Sequence, residues 1–207
     1  MKRVMFLFVV FVILTAHLSY GQEPANYEIT IDGKKRDISL GREYQMKLRS
    51  GETVTVRVNR KAIVTYKDDF ISFQHKSDLT VSSTDIGNGI RQTMTNTALG
   101  TLILFQEYST MDPSTLIDMM LQELTKEQVQ YGYALKKESF SRKLGDGTEF
   151  KGKMATLSYK DEVEYWSVLS FGKRGKGLLV ITKIDKDNMK QEKDVIDLMW
   201  NSLSLGF

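Results

Sequence analysis

The chain has 207 residues, with 29 Lys and Arg against 26 Asp and Glu, two histidines and no cysteine. A charge balance this even, with no basic stripe, excludes nucleic-acid binding. The lack of thiols excludes disulfide staples, a lipid-bearing cysteine and cysteine chemistry.

The chain opens on Lys2 and Arg3, then an apolar run over 4–14 that is short for a membrane span, then Ser19-Tyr20-Gly21 with small residues where a signal peptidase selects. The pattern predicts a secretory signal over 1–21, cleaved between Gly21 and Gln22; the alternative is an uncleaved N-terminal anchor. Export to the periplasm or beyond a bacterial envelope follows, with no integral span after cleavage, because no other stretch is apolar enough. Loss of Lys2 and Arg3 leaves 27 basic against 26 acidic residues. A chain of that length fits one domain or two small ones.

Residues 22–66 form a β-rich N-terminal segment. Tyr27, Ile29 and Ile31 alternate with polar residues, and Asp32-Gly33 turns the chain into a return strand with Ile38 and Leu40. Tyr44, Met46 and Leu48 alternate again, and after Ser50-Gly51 so do Val54, Val56 and Val58. The expectation is four short antiparallel strands sharing one apolar face. Residues 59–69 are a hinge candidate, with one more strand in it at 62–66.

Strands are predicted next at 70–74 and 79–83, followed by a polar loop through Asp85, Gly87 and Asn88, then strands at 90–95 and 102–105. The last is a continuous apolar run, as a strand covered on both faces requires. Residues 112–130 are the central helix. Asp112 caps it, Pro113 takes the first helical position, and Met111 and Leu116 are spaced as a staple. Leu116, Ile117, Met120, Leu121 and Leu124 share one arc, while Gly132 suits a left-handed end. That arc requires a sheet to lie on, because an isolated helix this short is marginal in water.

Strands follow at 133–140, 150–159, 164–171 and 178–184, with Asp146-Gly147 marking a hairpin and 172–177 a flexible loop. Val195, Met199 and Leu203 give the closing helix, 189–203, its buried face. Strands, helix, antiparallel strands, helix is an α+β order: an antiparallel sheet with both helices packed on it, preceded by the β-rich segment.

The opening strand at 70–74, the Asp112-Pro113 helix after a buried strand, the Asp146-Gly147 meander and the Asn201-Ser202-Leu203-Ser204-Leu205 tail together resemble the PsbP-like fold. The resemblance covers residues 67–207. It groups the chain with a photosystem extrinsic protein, a Ran-binding import factor and small bacterial envelope proteins. Its members serve unrelated roles, mostly as binding or accessory proteins, so the resemblance by itself does not fix a function.

The chemistry-bearing residues are few. His75 is the single histidine outside the signal, no G-x-S-x-G elbow precedes a helix, and no zinc ligand set exists. No catalytic, cofactor-binding or metal residue is assigned. Gly172-Lys173-Arg174-Gly175-Lys176-Gly177 lacks the following helix and the Ser or Thr of a phosphate loop, since Leu178 opens a strand. Lys173, Arg174 and Lys176 are instead candidates for weak contact with a membrane surface or acidic partner. Asp161, Glu162 and Glu164, and separately Asp68-Asp69, could serve a carbohydrate hydrolase only if two carboxylates faced each other across a cleft. Tyr131, Tyr133, Tyr165, Trp166 and Phe171 bracket the meander. Neighbours on a strand point oppositely, so either Tyr165 or Trp166 faces out, and Trp166 is the binding-face candidate. The functional expectation is an exported, non-enzymatic binding or accessory protein of the envelope. Its alternatives are a carboxylate-pair hydrolase and a peripheral membrane protein.

Overall fold

A computed structural model describes residues 27–207. The signal segment, its cleavage site and the residues leading to Asn26 lie outside the described residues. The chain divides into two compact units, Met1–Arg60 and Lys61–Phe207.

In the first unit, β1 (Tyr27–Ile31) pairs with β2 (Lys34–Ile38) and β3 (Glu43–Lys47) with β4 (Thr53–Arg57), both antiparallel. Asp32 and Gly33 turn the first hairpin with φ of 52° and 77°, the doubly left-handed turn that matches strand twist. The expected four-strand face is two separate two-stranded ladders. Side chains link them: Arg36 donates to the Gln45 carbonyl at 2.7 Å, and Asp32 accepts from the Arg49 amide at 3.1 Å. Ile38 and Met46 are buried, whereas Tyr27, expected inside, is 50% exposed.

The second unit begins with β5 (Ile63–Lys67), which pairs with β6 (Ile71–Lys76). The strand inside the hinge candidate therefore belongs to this unit. Asp68 makes the tight connection, accepting from the amides of Phe70 and Ile71 at 2.7 and 2.8 Å. Then come β7 (Ser82–Gly87), β8 (Ile90–Asn96) and β9 (Leu102–Tyr108). Strand β7 corrects the expected strand at 79–83 and polar loop after it. All its residues are exposed at the sheet edge, so neither face carries the apolar alternation that marks a strand in sequence.

Asp112 caps a 3-10 turn, Pro113–Leu116, that runs into α1 (Ile117–Tyr131); the cap is a 2.9 Å bond from the Ser114 amide to Asp112 Oδ1. Gly132 ends α1 at φ 116°, its amide on the Gln128 and Val129 carbonyls. Strands β10 (Ala134–Lys143), β11 (Glu149–Tyr159), β12 (Glu162–Lys173) and β13 (Lys176–Asp185) follow, then α2 (Met189–Ser202) and the short β14 (Ser204–Leu205).

The main sheet has seven strands in the order β10-β11-β12-β13-β9-β8-β7, every neighbouring pair antiparallel. Both faces are covered, which is why 178–181 is apolar without interruption. Leu178 and Val180 join a core with Phe105, Phe150, Met199 and Trp200. Leu179 and Ile181 join the opposite one with Leu121, Leu157 and Val168. Helix α1 lies on the second core, and α2 closes the first beside a smaller sheet of order β14-β6-β5. The predicted arc holds: Leu121 is fully buried, Leu116, Ile117, Met120 and Leu124 are half-buried against the sheet, and Met119 is exposed. Each such burial contributes at most about 1.5–3 kcal/mol. The architecture is α+β, with helices on an antiparallel sheet.

Candidate functional site

Lys173, Arg174 and Lys176 gather at the tip of the β12–β13 hairpin. The expected loop over 172–177 is a two-residue turn, Arg174 and Gly175 at φ 54° and 74°, with Lys173 opposite Lys176 in the ladder. All three cations are exposed, and among the described residues none has an ion pair. The outer glycines of this stretch answer to packing. A Cβ on Gly172 would fall 2.2 Å from the Asp112 carboxyl carbon, and one on Gly177 2.2 Å from Pro113 Cδ. The start of the central helix region thus sits directly on the hairpin.

Trp166 is not a surface residue. Only 9% exposed, it packs with Val168 and Leu157 on the α1 side, and its indole N–H donates to Glu164 Oε2 at 3.2 Å. Tyr165 packs on the α2 side. The choice of one facing out fails because both faces of the sheet are covered.

Between α2 and the β10–β13 end of the sheet lies a pocket of about 340 Å³. Phe140, Met154, Tyr165, Trp166 and Ile184 line it from the sheet, and Met189, Ile196 and Trp200 from the helix. Cross-strand register sets the sheet side: Tyr165 opposes Ile184, and Met154 opposes Ser167. The Ser167 and Thr182 hydroxyls, at the same pocket, bond each other at 2.6 Å, which uses one of their two O–H donors. Arg142 and Lys193 complete the lining. The Arg142 guanidinium carbon stands 5.7 Å from the Trp200 ring centre, a cation–π distance. Both cations share one carboxylate: Arg142 donates to Asp197 Oδ1 at 3.2 and 3.3 Å, and Lys193 donates to Oδ2. Burial pushes the Asp197 carboxyl up, but the bonds from Lys193 and Arg142 outweigh it and hold the group below the usual carboxylate range. The pocket is concave and mostly apolar with a few convergent polar groups, as small-molecule sites are.

A second polar cluster joins the β5–β6 turn, β8 and β9. Glu107 is only 3% exposed; Arg91 lies 3.8 Å from its Oε2 and Thr93 donates to its Oε1 at 3.4 Å. Arg91 is also 3.6 Å from Asp68 Oδ2. Burial, then the nearby Asp68 charge, pushes the Glu107 carboxyl up to about 7. At Asp68 burial acts in the same sense, but the Ile71 and Phe70 amides, the Tyr66 hydroxyl and Arg91 hold the carboxyl low. Glu107 and Arg91 line a cleft of about 170 Å³ with Asp69 and Asp85.

The acids named from sequence around residue 161 do not meet across a cleft. Glu162 accepts from the Tyr133 hydroxyl and Glu164 from the Trp166 indole. Tyr131, Tyr133 and Tyr159 cluster beside them, ring centres 5.3–6.1 Å apart, and Tyr131 is 71% exposed. Phe171 packs into the α2-side core against Phe150. His75 bonds the Lys76 carbonyl through Nδ1 at 2.9 Å, and its ring is tilted against Phe73 at 6.0 Å between centres.

Sequence reasoning passed over Arg142, Lys193, Asp197, Arg91 and Glu107. Only Glu107 carried a local hint, as a lone acid two residues beyond an apolar strand.

No protein-family model matches the chain, and no curated protein matches it. Among solved structures, the chain is similar to the solution structure of cyanobacterial PsbP (CyanoP) from Synechocystis sp. PCC 6803. The two are 12% identical, the likeness covers 72% of this chain and 95% of that one, and the TM-score is 0.47. That is the fold family named on sequence grounds above, and no residue role passes from that protein to this chain. Among the described residues no helix is long and apolar enough to cross a membrane.

Proposed function

We propose that this is an exported binding or accessory protein, and that its ligand seat is the pocket between α2 and the sheet. The observation that supports this is the lining itself: eight apolar or aromatic residues around about 340 Å³, with charge confined to Arg142 and Lys193. Buried apolar surface supplies affinity there, and the few polar groups supply orientation. The test is titration with a neutral, environment-sensitive apolar dye. Saturable one-site binding is expected, and Met189→Trp, which fills the pocket from the helix side, should abolish it without lowering the melting temperature. Binding unchanged by that substitution would remove the pocket from the proposal. The export half rests on the segment 1–21 and is tested by fractionating cells and sequencing the mature terminus, expected at Gln22.

A second reading, acid–base chemistry on a carbohydrate, is favoured by one observation. Asp68 and Glu107 share Arg91 while their surroundings drive their proton affinities apart. Turnover of aryl glycosides that is lost in Glu107→Gln would promote this reading. No turnover on such substrates would leave the pair a structural one.

A further inference from the structure

We propose that the pocket between α2 and the sheet takes an amphiphile with a single anionic head, a short acyl chain ending in a carboxylate. This rests on the pocket being the ligand seat and adds the chemistry of what sits in it. The argument starts from charge. Arg142 and Lys193 both line the cavity, and both bond Asp197. Two cations on one carboxylate leave one unit of positive charge at the rim. Asp197 is held ionised by those same bonds, so it offsets one of the two positive charges and the other remains.

The neighbouring acids are committed elsewhere. Glu138 on β10 pairs with Lys136 at 3.0 Å, and Asp194 on α2 pairs with Lys76 at 2.8 Å. The Arg142 bonds to Asp197, at 3.2 and 3.3 Å, are longer than a strong guanidinium–carboxylate contact, and both fall on one oxygen. The usual two-oxygen fork is not made to Asp197, so the guanidinium retains donor capacity for a second carboxylate. The rest of the site asks for a tail. Its apolar wall runs from Trp200 and Phe140 near Arg142 to Met189 and Ile184, and the two hydroxyls at the pocket bond each other. A polar body would find few open partners there, whereas methylenes lose nothing by entering.

Calorimetry on the full chain with octanoate, octanol and octylammonium tests this. All three carry the same tail, so the tail contribution cancels in the comparison. Octanoate is expected to bind roughly tenfold tighter than octanol, the scale of one charge-assisted bond. Octylammonium is expected to bind more weakly than octanol. Only the octanoate affinity should fall with added salt. Asp197→Asn removes the competing carboxylate and should tighten octanoate several-fold with octanol unchanged, while Lys193→Gln should weaken octanoate alone. Since Asp197→Asn gains affinity, misfolding cannot imitate its result. Equal affinity for octanoate and octanol, or no gain in Asp197→Asn, would overturn the anionic head while leaving the pocket as an apolar seat. Binding of none of the three would overturn both.

Discussion

Pro113 lies so close over Gly177 that a Cβ at the glycine would stand 2.2 Å from the proline Cδ and 3.0 Å from the Phe171 carbonyl oxygen. Neither a ring fixed at the head of a helix nor a backbone oxygen can step aside. Gly177→Ala is therefore expected to destabilise the fold by about 2–3 kcal/mol through overpacking. Gly172→Ala meets the Asp112 carboxyl, whose side chain can turn away at the loss of its cap bond, for about 1 kcal/mol. Urea unfolding of the two variants checks the order. Equal midpoints would mean that the helix start is not seated on the hairpin.

Glu107 should make stability depend on pH. Its folded proton affinity, about 7, is above the ordinary 4.5, so its contribution is full below pH 4.5 and is lost as pH rises through 7. Arg91, Asp68, Asp69 and Asp85 surround it. Glu107→Gln keeps the neutral shape. It is expected to match the parent near pH 4 and to exceed it at pH 8 by up to about 3 kcal/mol, less whatever solvent at the partly exposed Arg91 screens. Parallel stability curves for the two proteins would dismiss this account.

Thr101 and Glu192 form a buried bond of 2.5 Å that ties α2 to the loop between β8 and β9. Thr101→Val leaves the carboxylate facing a methyl and should cost about 1–3 kcal/mol. Glu192→Gln keeps an acceptor oxygen and should cost less. Thermal melts of both variants measure the difference, and a neutral Thr101→Val would show the bond to contribute nothing.

The bond from Tyr133 to Glu162 pushes the tyrosine hydroxyl up to about 12. In alkaline titration followed by phenolate absorbance, two tyrosines should ionise late, Tyr108 through burial and Tyr133 through this bond. Glu162→Gln should return Tyr133 toward the ordinary 10.0. Two late tyrosines surviving this substitution would dismiss the bond as the cause.

If the hairpin cations Lys173, Arg174 and Lys176 attract a membrane surface, replacing all three by Gln should remove cosedimentation with phosphatidylserine vesicles. Exposed and without ion pairs among the described residues, they should leave stability within about 0.5 kcal/mol.

What the sequence made legible is what one face of one element decides. The arc from Leu116 to Leu124 named the α1 face because a helix buries a stripe, and Leu102 onward named a two-sided strand because nothing polar interrupts it. Edge strand β7 went unseen since all its residues are exposed and no apolar face marks it. Trp166 was misplaced because alternation says which neighbours oppose, not whether a layer covers the far side. Of the candidate pocket, Tyr165 and Trp166 were singled out in the sequence, but its charged rim was not legible. Arg142 and Asp197 are 55 positions apart, and Thr101 and Glu192 are 91 apart. Local periodicity reports burial and carries no information on which distant side chain arrives opposite.

Strand β6 takes one partner from β5, just before it, and the other from β14; Ser204 pairs with Ser72, the Gly206 amide bonds the Phe70 carbonyl, and the Phe207 ring centre is 4.4 Å from that of Phe70. During synthesis that edge of β6 must wait, unsatisfied, while more than a hundred intervening residues emerge. The second unit therefore cannot finish in the order in which it is made. Its small sheet is a latch thrown last, and a chain cut after α2 would keep every helix yet leave an open seam beside Ile71.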